Sequence, residues 1–198
     1  MMYANLYLSL RSTLLIAIAL TAMSVSASAQ RDYLTPEEIE LIRDAQEIDR
    51  RVDVLIHAID RRLQVLNASA AGKPISKKDS EKWGSPPEGT RFELLLDIKR
   101  ILQKAIDDID NLADRPESAV ISPNRDPREN KGYAVLFPKA VKTLASAAER
   151  WKPVLKAEMG RATDSAEKGS ILDSIDMCDQ ITAAVPKLPA DAPKKKGT

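Results

Sequence analysis

The sequence predicts an all-α protein, an up-down-up-down four-helix bundle with two long loops after a cleaved N-terminal signal peptide. Four separate segments carry apolar residues at spacings of three and four, the period that lines one face of an α-helix. No segment shows the alternation of apolar and polar residues that is typical of a half-buried strand. A short apolar run near the N-terminus, apart from the four segments, indicates the signal peptide.

The N-terminal segment has the pattern of a secretory signal. Its apolar run at 14–20 reads LLIAIAL, and the Ala-Ser-Ala triplet at 27–29 fits the small-residue pattern that signal peptidase accepts. We therefore predict cleavage after Ala29, removal of residues 1–29, and export to the periplasm or the extracellular space. The run is shorter than the about 20 residues of a membrane span, so no stable membrane anchor is expected after cleavage.

The charge balance argues against a nucleic-acid partner, and the cysteine content limits how the fold can be stabilised. Removing residues 1–29 takes away one base, Arg11, and no acid, so 29 acids face an equal number of bases. A general polyanion binder carries a basic excess, so we expect no nucleic-acid partner. The single cysteine cannot form an intramolecular disulfide, so the fold must depend on its apolar core.

The first predicted helix covers 35–66. Thr35 and Glu38 match a capping box, and Pro36 suits the first helical position. Its inner face is an apolar stripe of Leu41, Ala45, Ile48, Val52, Leu55, Ile59, Leu63 and Leu66. Such a stripe is compatible with a coiled-coil seam, but the segments that follow make this helix the central wall of a monomeric bundle.

The second predicted helix covers 91–113 and opens with another capping box, Thr90 and Glu93. Its apolar stripe is wider than a two-helix seam, which implies at least three helices around a shared core. Long segments rich in Gly, Pro and Ser, at 67–89 and 114–133, are predicted as loops.

The third predicted helix covers 137–159 and the fourth covers 164–185. Pro153 lies inside the third pattern, so a kink or break is predicted near it. The bundle domain therefore covers 30–188, and a lysine-rich tail at 189–198 is predicted to be disordered.

His57 is the only histidine and is predicted to lie on the outer face of the first helix. Asp53 and Asp60 flank it at i−4 and i+3, so the three side chains could form a surface metal site. The alternative is a solvated charged face with ion pairs along the helix. No resident cofactor is expected.

Trp83 is the one aromatic residue in the first loop. A tryptophan there could contact a ligand or a partner, or it could pack down as a plug.

Cys178 falls on the inner stripe of the fourth helix, between acidic neighbours. A reactive thiol needs a lowered pKa, which acidic neighbours oppose, so core packing is favoured.

Charge separation suggests how the helices are ordered. The acids from Asp107 to Asp114 lie at the C-terminal end of the second helix, where the helix dipole disfavours negative charge. We expect compensation by bases of the following segment: Arg125, Arg128, Lys131, Lys139 and Lys142.

The favoured function is an exported, non-enzymatic helical bundle that acts through contacts with a protein partner. The alternative is a metal- or small-ligand-binding bundle, with its site at Asp53, His57 and Asp60 or under the Trp83 loop. An enzyme built from scattered carboxylates is the least favoured interpretation.

Overall fold

Helices account for the regular structure of this chain in the residues that the computed structural model describes, which are 31–66, 81–119 and 132–189. Five α-helices have described bounds: α1 (Pro36–Asp44), α2 (Ile48–Val65), α3 (Arg91–Asp114), α4 (Tyr133–Arg161) and α5 (Ser165–Ala184). Short 3-10 turns, Pro116–Ser118 and Val185–Lys187, follow α3 and α5. No described residue lies in a strand, so the predicted all-α class is confirmed. In these same stretches, no helix is both long and apolar enough to span a membrane.

Several predictions concern residues outside the described ranges: the signal peptide at 1–29, parts of both loops at 67–80 and 120–131, and the tail from 190. The chain divides into two units, Met1–Asp32 and Tyr33–Thr198. Only Arg31 and Asp32 of the first unit lie in the described ranges.

The prediction of one helix over 35–66 is wrong, because the chain forms α1 and α2 there, separated by residues 45–47. The capping box at Thr35 is present, with its side-chain oxygen accepting from the Glu38 amide. After the connector the chain turns back, and the Glu38 carboxylate meets the Arg61 guanidinium at 2.7 Å. A continuous helix would hold these two residues about 35 Å apart. The long-range charge pairing of Glu38 with Arg61 and Arg62 therefore accounts for the break.

α4 differs from its prediction at both ends and at its prolines. It begins at Tyr133 instead of 137, and it continues through Pro138 and Pro153. A break at Pro153 does not occur, and a kink there stays a prediction. Pro153 lies on the exposed side of the helix while Trp151 is buried against the core. Water can then hydrate the carbonyl that lacks an amide partner.

The core is formed by the inner faces of α2, α3, α4 and α5. Its deeply buried apolar side chains include Val52, Leu55, Ile59, Leu63, Leu95, Ile98, Ile101, Leu102, Leu144, Trp151, Leu155 and Ile171. α3 and α5 lie near their predicted bounds of 91–113 and 164–185, and Thr90 caps α3 through a capping box with Glu93.

Two ion pairs set the relation between α2 and α4. Lys139 pairs with Asp49, and Arg150 pairs with Asp60. In each pair the partners are 90 residues apart in the chain. Because the offset is the same at both positions, α2 and α4 run parallel and side by side.

α3 and α5 are related in the same way. Arg91 pairs with Glu167, and Lys99 pairs with Asp173. α2 packs on α3 and α4, and α5 packs on the same two helices, whereas α3 and α4 make few direct contacts. A sequential up-down-up-down bundle would place α3 beside α4, but here the two consecutive helices lie across a diagonal of the core.

Candidate functional site

A groove lies between α3, α4 and α5, at the end of the core where α3 ends and α4 begins. Its volume is about 360 Å³. It is lined by Ile106, Ile109, Asp110, Phe137, Val141, Leu144, Gln180, Ile181, Ala184, Lys187 and Leu188. All but three of these side chains are apolar. We call this region of the core the open end.

The groove forms because α5 ends before it covers this part of the core. α5 ends at Ala184, and Pro186 lies in the 3-10 turn that follows. Val141 and Leu144 at the floor are buried, while Phe137 on the wall is only half-buried. The open end therefore presents apolar side chains that no described helix covers.

Carboxylates stand along the α3 side of the groove. Asp110 lines it, and Asp107 and Asp114 are three and four residues away, so they lie on the same side of the helix. All three are exposed, and the Gln103 amide donates to Asp107 at 2.8 Å. In the part of the chain that the structure describes, no ion pair joins any of these three acids to a base.

The bases predicted to compensate these acids do not do so in the described residues. Lys139 pairs instead with Asp49 of α2 at 2.7 Å. Its helix lies across the diagonal from α3, so α2 is the closer partner. Arg125, Arg128 and Lys131 lie outside the described residues. In the described residues, the α3 side of the groove therefore has a rim of three exposed carboxylates, and Lys187 adds a base to the lining.

Comparison with known proteins assigns no family to this arrangement. No family model, curated protein or solved structure matches the chain. The function must therefore be inferred from the geometry and chemistry of the described residues.

The predicted metal ligands Asp53, His57 and Asp60 are not assembled into a site. Asp60 is buried, and its carboxylate accepts from Arg150 Nη1 at 2.8 Å and from Trp151 Nε1 at 2.7 Å. His57 is exposed, with Nδ1 2.8 Å from the Asp53 backbone carbonyl. Among the described residues, no group of three or more His, Cys, Asp or Glu side chains is placed to hold a metal ion.

Trp83 packs against α2. The centroid of its ring lies 5.5 Å from the centroid of the His57 ring. The Arg61 guanidinium lies 5.7 Å from the centroid of the Trp83 ring. Gly84 follows with a φ of +64°, and a Cβ added there would lie 2.5 Å from the Glu37 side chain. This packing agrees with the plug interpretation, and a ligand or partner contact at Trp83 stays a prediction.

An ionic cluster of Glu38, Arg61, Arg62 and Asp97 lies where α2 ends and α3 begins. Glu38 is fully buried, and its two oxygens accept from Arg61 at 2.7 Å and from Arg62 at 2.9 Å. Arg62 is also buried, donates to the Tyr33 carbonyl at 2.6 Å, and places Nε 3.6 Å from Asp97. Sequence reasoning missed the cluster because it placed Glu38 and Arg61 at opposite ends of one helix.

A second ionic cluster joins the starts of α3 and α5 to the end of α4. Arg91 pairs with Glu158 at 2.5 Å and with Glu167 at 3.3 Å, and Glu158 also accepts from Arg161 at 2.8 Å. Glu158 is only 1% exposed. We call the region of these two clusters the closed end.

Cys178 is fully buried on the inner face of α5. Burial, followed by the negative charge of Asp179, raises the pKa of its thiol to about 12. The thiolate is the nucleophilic form of cysteine, so this environment opposes a reactive role. The position of Cys178 agrees with the predicted core packing.

Proposed function

We propose that this protein is an exported, non-enzymatic four-helix bundle that binds a protein partner through the groove at its open end. The predicted signal peptide at 1–29 supports export to the periplasm or the extracellular space. The observation that carries the binding proposal is the groove itself. It has a buried apolar floor, and its walls include the half-exposed side chains Ile106, Phe137 and Leu188.

An amphipathic helix is the partner structure that suits this groove. Apolar residues on one face of such a helix can fill a groove between helices and bury surface that would otherwise contact water. The rim acids Asp107, Asp110 and Asp114 favour a helix whose apolar face is bordered by lysine or arginine. We therefore expect a partner segment that is both apolar and basic.

The polar groups around the groove support binding more than catalysis. Its polar lining consists of a carboxylate, an amide and an ammonium group, from Asp110, Gln180 and Lys187. The thiol of Cys178 does not line the groove, and its raised pKa keeps it protonated. A partner surface uses such groups to orient a bound segment.

A small apolar ligand is the second candidate, and the size of the groove favours it. Pockets for small molecules are commonly about 300–1,000 Å³ and mostly apolar, and the groove volume of about 360 Å³ falls in that range. A small-ligand-binding bundle is also one of the two alternatives that the sequence predicts.

Binding of designed peptides tests the proposal. The probes are two 18-residue amphipathic helices with the same leucine face, one bordered by lysines and the other by glutamates, and binding is measured by fluorescence anisotropy. Ala184→Trp places a bulky ring in the groove, and Ala183→Trp places the same ring on the exposed side of α5. We expect the lysine peptide to bind the wild type and to lose at least tenfold in affinity with Ala184→Trp but not with Ala183→Trp.

The rim is tested separately with Asp110→Asn, which should weaken the lysine peptide and strengthen the glutamate peptide. Failure of the lysine peptide to bind, or equal binding by the two tryptophan variants, would exclude the groove as a protein-binding site. Binding of the apolar probe anilinonaphthalene sulfonate that is lost with Ala184→Trp, without peptide binding, would favour the small-ligand candidate.

A further inference from the structure

We infer that α1 exchanges between two copies of this chain, so that the folded-back monomer converts to a dimer in which each α1 docks on α2 of the other copy. This inference is independent of the proposed groove function, because it concerns the side of α2 that α1 covers. The sequence predicts a monomer, and this inference adds a second, dimeric state.

The connector between the two helices is short and carries no residue that stops a helix. It consists of Ala45, Gln46 and Glu47, with neither glycine nor proline. Alanine, glutamine and glutamate are good helix formers. Ala45 also continues the apolar stripe that runs from Leu41 to Ile48. The local sequence therefore permits α1 and α2 to join into one straight helix.

Straightening would also give the first amides of α2 acceptors within the same helix. Glu47 occupies the N-cap position of α2 but makes no side-chain capping bond to the first turn. The first amides of a helix have no acceptor within it. In a continuous helix these amides would bond to carbonyls of the connector and the last turn of α1.

A second copy can supply the contacts that hold α1. Straightening would move Glu38 about 35 Å along the helix axis from Arg61 of its own chain, so Arg61 and Arg62 would lose their buried carboxylate. Two straight helices in antiparallel register can place Glu38 of each copy against Arg61 and Arg62 of the other. This arrangement is twofold symmetric and closed, and exchange of an element through a short connector is a low-cost route to such dimers.

Substitutions at Gln46 test the exchange, because this side chain is exposed and its backbone amide bond to Asp44 is kept by any residue other than proline. Gln46→Ala favours the straight helix and Gln46→Gly disfavours it. Because a dimer contains two connectors, each substitution acts twice. The difference between alanine and glycine in a helix predicts a dimer dissociation constant about 25-fold lower for Gln46→Ala than for Gln46→Gly. Sedimentation equilibrium of the full chain, after refolding at high concentration, measures it.

The wild type should fall between the two variants. Mixing copies labelled with donor and acceptor dyes should give energy transfer only after partial unfolding, because exchange requires α1 to leave its own chain. A monomer at all concentrations for Gln46→Ala would overturn the inference. A dimer whose affinity is the same in Gln46→Ala and Gln46→Gly would overturn it too, because its interface would not involve the connector.

Discussion

The closed end and the open end of the core use different side chains. At the closed end, Glu38 and Glu158 are buried and neutralised by arginines from other elements. At the open end, Phe137 and Leu188 are half-exposed and no described helix covers them. Breaking a buried ion pair is costly, so the closed end needs a carboxylate partner for its buried arginines in any helix arrangement, while apolar contacts are non-directional and leave the open end able to accept another molecule.

The largest expected effect concerns the buried carboxylate of the closed end. Glu38→Gln keeps the shape of the side chain but removes the charge that Arg61 and Arg62 share. Leaving buried charge uncompensated costs about 3–5 kcal/mol, and we expect a loss of this size in the free energy of unfolding from urea denaturation.

The control is Glu40→Gln on the same helix, whose exposed carboxylate pairs only locally with Arg43. Its effect should stay within about 0.5 kcal/mol. Equal effects of the two substitutions would show that the buried cluster does not hold the closed end together.

A second prediction compares two glycines. Gly84 has a φ of +64°, a backbone conformation that residues with a Cβ rarely adopt, so Gly84→Ala should destabilise the fold by about 1–3 kcal/mol. Gly169 lies inside α5 with no atom within 4 Å of an added Cβ, so Gly169→Ala should stabilise it by about 0.5–1 kcal/mol. Thermal unfolding of both variants measures the signs, and stabilisation by Gly84→Ala would contradict the assignment of Gly84 to a constrained turn.

The elements that the sequence predicts well are those decided by local chemistry. The inner stripe, with Val52 and Leu55 fully buried, follows from helical periodicity. The capping boxes at Thr35 and Thr90 follow from spacing alone. Such features need no knowledge of which element packs on which.

The features that the sequence does not predict depend on contacts between distant residues. Residues 45–47 carry no sequence signal for a turn. The turn depends instead on the pairing of Glu38 with Arg61, which lies far away in the chain. Ile106 belongs to the wide apolar stripe of the second predicted helix and packs against the core, and it also lines the groove. Periodicity assigns a residue to a face of a helix but does not identify the neighbour of that face, so neither the groove nor the diagonal relation of α3 and α4 could be derived.

An effect on stability that is confined to high pH is expected at Cys178, which lies about one turn of α5 from the groove residue Ile181 and so reports how far water enters the open end. Because burial raises the pKa of its thiol from 9.0 to about 12, the unfolded chain releases this proton first, and stability should fall as the pH rises above 9. The loss should reach about 1 kcal/mol by pH 10 relative to Cys178→Ala, which lacks the thiol. Alkylation should be slow in the native protein and fast in urea. Equal alkylation rates in the native protein and in urea would show that the open end reaches as far as Cys178.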